Sequence, residues 1–163
     1  MLTYLQRIEW FIGLVLLQVL VLNHMHINGY ATPFFFIYFI LKYNSGVSRN
    51  VLMIWAFLLG LAVDIFGNTP GMNAAAATVL AFMREPVLRL VTLREDFEPG
   101  IKSMGFSPFF RYILLCTFLF CTILLVIDTF SFFNLPVLLL KILTDASITV
   151  ICILCAEAIR RKK

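Results

Sequence analysis

The chain has 163 residues, 61% of them hydrophobic and 13% charged, with a formal net charge of +4. A soluble domain this small cannot hide so much apolar surface, and disordered chains are poor in such residues. The 4 Cys all sit in apolar runs, unlike the cysteines of a secreted disulfide scaffold, so the composition points to one mostly helical integral membrane domain.

A spanning helix needs about 20 apolar residues. The sequence predicts six transmembrane helices, at about residues 8–22, 31–41, 51–66, 72–83, 112–127 and 135–159. The first resembles a signal peptide in composition, but Leu22-Asn23-His24-Met25-His26 offers no small-residue cleavage site, so it is read as an uncleaved span. The second is short. The fourth is rich in alanine, with Ala74, Ala75, Ala76 and Ala77 in a row. A connection over about residues 84–111 separates spans four and five. Its first part, Glu85 to Arg94, mixes apolar and basic residues and predicts a juxtamembrane helix on anionic lipid. The alternative is a docking loop for a cytoplasmic partner. Glu95 to Gly100 reads as an acidic turn.

The basic residues order these spans. Arg7 precedes span one; Lys42 and Arg49 lie between two and three. Arg84, Arg89, Arg94, Lys102 and Arg111 lie between four and five, and Arg160, Arg161, Lys162 and Lys163 follow six. The connections after spans one, three and five carry none. By the positive-inside rule this predicts both termini in the cytoplasm. The same residues explain the basic balance without nucleic acid, for which the loops carry no motif.

Ionisable groups within spans are functional candidates. Asp64 ends span three, and Gly60, Asp64 and Gly67 fall on one helix face. Ala56 with Gly60, and Gly71 with Ala75, are small-residue pairs that let helices approach. Asp64 is expected to brace the turn through Pro70 and Gly71 by bonding nearby backbone N–H groups. Lys141 and Asp145, four residues apart in span six, are expected to neutralise each other. Glu9, Asp128 and Glu157 read as solvated or interfacial. Cys116, Cys121, Cys152 and Cys155 read as small hydrophobes. His24 and His26 are too few for zinc. No metal, cofactor or catalytic motif is read from the chain, which is expected not to be an enzyme.

The run Gly60 to Ala74, with Gly67 inside a G-L-x-x-D-x-x-x-x-x-P-G-x-x-A pattern, resembles the rod shape-determining protein MreD family. The motif residues are Gly60, Asp64, Gly67, Pro70, Gly71 and Ala74. The resemblance implies a non-catalytic part in bacterial cell elongation. The implied partners are an MreC-type periplasmic scaffold, the actin-like MreB filament and the peptidoglycan synthases of the elongasome. It also implies a fold similar to the substrate-binding S components of energy-coupling-factor transporters, which supplies an alternative function, vitamin binding. The first span speaks against that alternative, since Gly13 is its one small residue between Trp10 and Leu22. A further alternative, a proton-coupled carrier or membrane enzyme, would use Asp64, Lys141 and Asp145.

Overall fold

The computed structural model describes residues 2–20, 32–69, 71–92, 97–129 and 135–162. Among them the fold is all helical. The elements are α1 (Leu2–Leu20), α2 (Ile37–Lys42), α3 (Arg49–Gly67), α4 (Met72–Val91), α5 (Ile101–Met104), α6 (Phe106–Thr129) and α7 (Leu135–Lys162). Among the described residues, three stretches are long and apolar enough to cross a membrane: Arg49–Gly67, Phe106–Asp128 and Val137–Arg160. A shorter apolar stretch, Ile8–Leu20, lies in α1.

Helical periodicity explains the core. On α6 the buried residues Phe109, Tyr112, Ile113, Cys116 and Phe120 repeat every three or four positions. On α3 Leu52, Ala56, Leu59, Gly60, Val63 and Asp64 do the same. The opposite face of α3 exposes Val51, Ile54, Phe57, Leu58 and Ile65. An apolar outer face of this kind suits lipid, which is as apolar as leucine. Helices in lipid associate through close packing rather than through escape from water.

Several predicted elements differ in extent, α1 among them, which begins at Leu2. In the second stretch only Ile37–Lys42 is helical, a length of about 9 Å at 1.5 Å per residue, too short to cross a membrane without the non-helical residues 32–36 before it. Pro33 has no N–H and pushes the residue before it toward extended backbone, and the N–H groups of Phe34 and Phe36 are spent on Thr149 and Gln18 rather than within a helix. Helix α4 runs past Arg84 and Pro86 to Val91, so the stretch from residue 85 to 91 is the end of α4 and not a separate juxtamembrane helix. Helix α6 starts at Phe106, with Pro108 in its first turn, where a missing N–H costs nothing.

Contacts between chain ends gather the basic residues at one end of the bundle. Arg49 at the start of α3 pairs with Glu85 near the end of α4 at 2.9 Å. Lys42 at the end of α2 pairs with Glu157 near the end of α7 at 2.9 Å. Arg160 lies 5.6 Å from the Trp10 ring on α1. Ser45 and Phe97 exchange hydrogen bonds of 3.0 and 2.9 Å between the two connections at this end. Helices α1 and α3 therefore run away from the basic end, while α4 and α7 run toward it.

Candidate functional site

The turn between α3 and α4 holds most of the motif. Asn68 takes a left-handed conformation, φ 53°, and ends α3. Gly71 takes φ 74° and starts α4. Between them Asp64 reaches from the last turn of α3 to the first turn of α4. Its Oδ2 accepts the Ala74 N–H at 2.9 Å. Its Oδ1 accepts the Asn73 N–H at 3.1 Å, the Asn73 Nδ2–H at 2.8 Å and the Thr69 hydroxyl at 2.5 Å. The first N–H groups of a helix have no partners of their own, and they carry the positive end of its dipole. A carboxylate placed there satisfies both demands. Asp64 is 3% exposed, so these bonds replace water almost entirely.

Gly60 sits one turn before Asp64, on the face toward α4. A Cβ placed on it would lie 2.5 Å from the Ala74 Cα and 2.6 Å from the Asn73 carbonyl oxygen. No side chain fits there without moving backbone. Ala74 itself is buried. Gly67, in contrast, is exposed at the end of α3 and does not join Gly60 and Asp64 at this contact. Ala75 is also exposed; the buried small residues of α4 are Ala74, Ala76, Ala77 and Ala81. Pro70 lies outside the described residues, as do His24 and His26.

Lys141 and Asp145 are electrostatic neighbours, but no ion pair within 4.0 Å joins them among the described residues. Lys141 is half-exposed and faces Asp128 at 3.8 Å. Asp145 is 2% exposed and accepts the Thr32 N–H at 3.0 Å. Its role becomes clear from its neighbours. Thr149, one turn further along α7, accepts the Phe34 N–H at 3.0 Å. Gln18 of α1 accepts the Phe36 N–H at 3.3 Å and donates to the Pro33 carbonyl at 2.9 Å. A four-residue step along a helix is about 6 Å, and a two-residue step along extended chain is about 6.6 Å. Asp145 and Thr149 thus match Thr32 and Phe34 in register. Backbone that is not helical needs partners from protein where no water reaches, and these three side chains supply them.

Glu157 is a second correction. It reads from sequence as interfacial, yet it is 5% exposed. It accepts from the Tyr38 hydroxyl at 2.7 Å, from Lys42 Nζ at 2.9 Å and from the Ile101 N–H at 3.3 Å. Lys42, Glu98, Lys102, Glu157 and Arg160 line a small polar cavity of about 310 Å³. Nearby, Arg84 is buried too. It donates to the Tyr112 hydroxyl at 3.0 Å and to the Tyr43 carbonyl, and Tyr112 donates to the Leu41 carbonyl at 3.1 Å. Arg84, counted in the sequence as a marker of topology, is part of the packing. At the surface of this end, the Arg49 hydrogen bond holds the Glu85 carboxyl below the usual carboxylate range.

Sequence reasoning missed Gln18, Thr149 and the burial of Glu157. One signal was available: a proline inside a predicted span frees backbone groups that polar residues of other spans must meet. Among the described residues, no group of three or more His, Cys, Asp or Glu side chains is placed to hold a metal ion. The buried side chains of Gln18, Asp64, Asp145 and Thr149 are instead spent on backbone N–H groups. In the comparisons with known proteins, no family model, no curated protein and no solved structure matches the chain.

Proposed function

We propose that this chain is a non-catalytic membrane component of the bacterial cell-elongation machinery, helping to set rod shape by scaffolding peptidoglycan synthesis. The observation that carries this reading is the use made of the motif Gly60-Asp64-Gly71-Ala74. Gly60 and Ala74 meet at backbone distance, and Asp64 joins the two helices through the Ala74 N–H. A motif spent on rigidity suits a part whose work is to present a fixed surface. The reading places the protein in the inner membrane with six crossings and both termini in the cytoplasm. The gathering of basic residues at one end supports that orientation. The partners are an MreC-type periplasmic scaffold and, through it, the MreB filament and the synthases. The likeness to the S-component fold belongs to the same proposal.

The test is depletion in a rod-shaped host. Depleted cells are expected to round up, with rods restored by the wild-type chain and not by Asp64→Ala. Cells that stay rod-shaped on depletion would end the proposal. Co-purification with a tagged MreC-type partner is the biochemical counterpart.

A further inference from the structure

Helices α1 and α7 leave an open groove between them at the basic end. One wall is Trp10, Gly13, Leu14 and Leu17 of α1, and the other is Ala156 and Ile159 of α7. The floor is Phe35 and Tyr38, stacked with ring centroids 5.5 Å apart and planes 13° from parallel. The groove holds about 580 Å³. It exists because the walls are small where they matter: nothing lies within 4 Å of the place a Gly13 Cβ would take.

The chemistry changes along its length. Away from the basic end the lining is wholly apolar. At the basic end stands Arg160, with a side chain 45% exposed. Its guanidinium lies over Trp10 at 5.6 Å and touches Glu98 at 3.1 Å. Those contacts fix its position at the mouth while leaving much of it open. Glu9 also lines the mouth and Glu98 holds one side of Arg160, so a negative head would take the part of the guanidinium that these carboxylates leave open. An apolar trough with a held cation at one end complements an amphiphile with a negative head and apolar tails.

We propose that this groove is a binding site for an anionic phospholipid, with acyl chain along Gly13, Leu17 and Ala156 and phosphate against Arg160. A lipid matches on both counts. A zwitterionic lipid would fill the trough and offer a phosphate as well, but its own ammonium would offset the match with Arg160. A partner helix would have to bring its own anion to the depth of Arg160. Basic groups beside a membrane attract anionic headgroups, and here a shaped apolar slot adds retention to attraction.

The experiment is native mass spectrometry of the purified full chain, released from mixed phosphatidylglycerol and phosphatidylcholine micelles. Wild-type protein is expected to keep one phosphatidylglycerol under activation that strips phosphatidylcholine, with a preference of about fivefold, the effect of one basic residue on an anionic surface. Arg160→Gln is expected to remove the preference while lipid is still retained. Gly13→Leu, which fills the trough, is expected to lower retention of both lipids. Ala156→Leu fills it from the opposite wall and serves as the second variant should Gly13→Leu fail to fold, as judged by circular dichroism. Equal retention of the two lipids by wild-type protein overturns the proposal. So does a preference that survives Arg160→Gln, or retention that survives a folded trough-filling variant.

Discussion

A Cβ on Gly60 would fall 2.5 Å from the Ala74 Cα, so α3 and α4 meet backbone to backbone one turn from the Asp64 carboxylate. The obstruction is main chain, and main chain cannot be trimmed. Gly60→Ala is therefore expected to destabilise the folded protein by about 1–3 kcal/mol, the usual cost of overpacking. Ala74→Gly is expected not to rescue it, because the clash is with atoms that glycine also has. Thermal unfolding in detergent of the two single variants and the double checks this. Recovery in the double variant would show that the contact is through side chains.

Gly71 is required for a different reason. Nothing lies within 4 Å of its missing Cβ, but its φ is +74°. The left-handed region costs an ordinary residue about 1–2 kcal/mol, and asparagine visits it more readily than alanine. Gly71→Asn is thus expected to be milder than Gly71→Ala. At Gly60 the order reverses, since space is what is lacking and asparagine is larger. Melting temperatures of the four variants test the crossed pattern. The same order at both positions would refute the distinction.

Asp145 offers a test between structure and proton chemistry. Its carboxylate serves the Thr32 N–H at 3.0 Å. An asparagine keeps an acceptor at that place and loses the charge. Asp145→Asn is expected to change stability and cell-shape complementation little. Asp145→Leu leaves the part-buried N–H without this partner, a cost of up to about 1–3 kcal/mol. If Asn and Leu are equally damaging, the ionised carboxyl itself is needed and a structural role is insufficient.

These cases show how much the sequence made legible. The α3–α4 turn was readable because all its signals are local: Gly60, Asp64, Gly71 and Ala74 lie within fifteen residues. Helical periodicity then places Gly60 and Asp64 on one face. Gly67 lies seven residues from Gly60 and shares that face in register, but it stands at the helix end, where the chain has already begun to turn away. The bonds of Asp145 and Glu157 were not readable, because their partners are 113 and 119 residues away. An i, i+4 lysine offered Asp145 a nearer match, yet a flexible, strongly hydrated ammonium gains more by staying half-exposed beside Asp128. The backbone of a proline-broken segment is a more exacting neighbour, since it has nowhere else to bond. Glu157 looked interfacial from the basic residues that follow it. The fold of the 97–104 stretch, which lays the Ile101 N–H against it, is a tertiary fact.

The pairing of Lys42 with Glu157 leads to the last prediction. Both side chains are largely shielded, at 14% and 7% exposure, and lie 2.9 Å apart. Two opposite charges taken from water attract strongly, but each has lost its hydration, so the pair as a whole adds little net stability. Removing one partner strands the other. Lys42→Met and Glu157→Gln are each expected to destabilise, with Lys42→Met the worse because it strands the Glu157 carboxylate, whereas the Lys42 ammonium left by Glu157→Gln keeps Glu98 at 3.8 Å. The cost of stranding a buried charge is about 3–5 kcal/mol. The double variant is expected to recover a large share of that loss, since the glutamine oxygen can accept the Ile101 N–H while its amide N–H donates to the Tyr38 hydroxyl oxygen. A thermodynamic cycle over the four proteins, read from chemical unfolding in detergent, gives the coupling. A coupling near zero would mean that each group is solvated on its own and that the α2–α7 contact rests on packing alone.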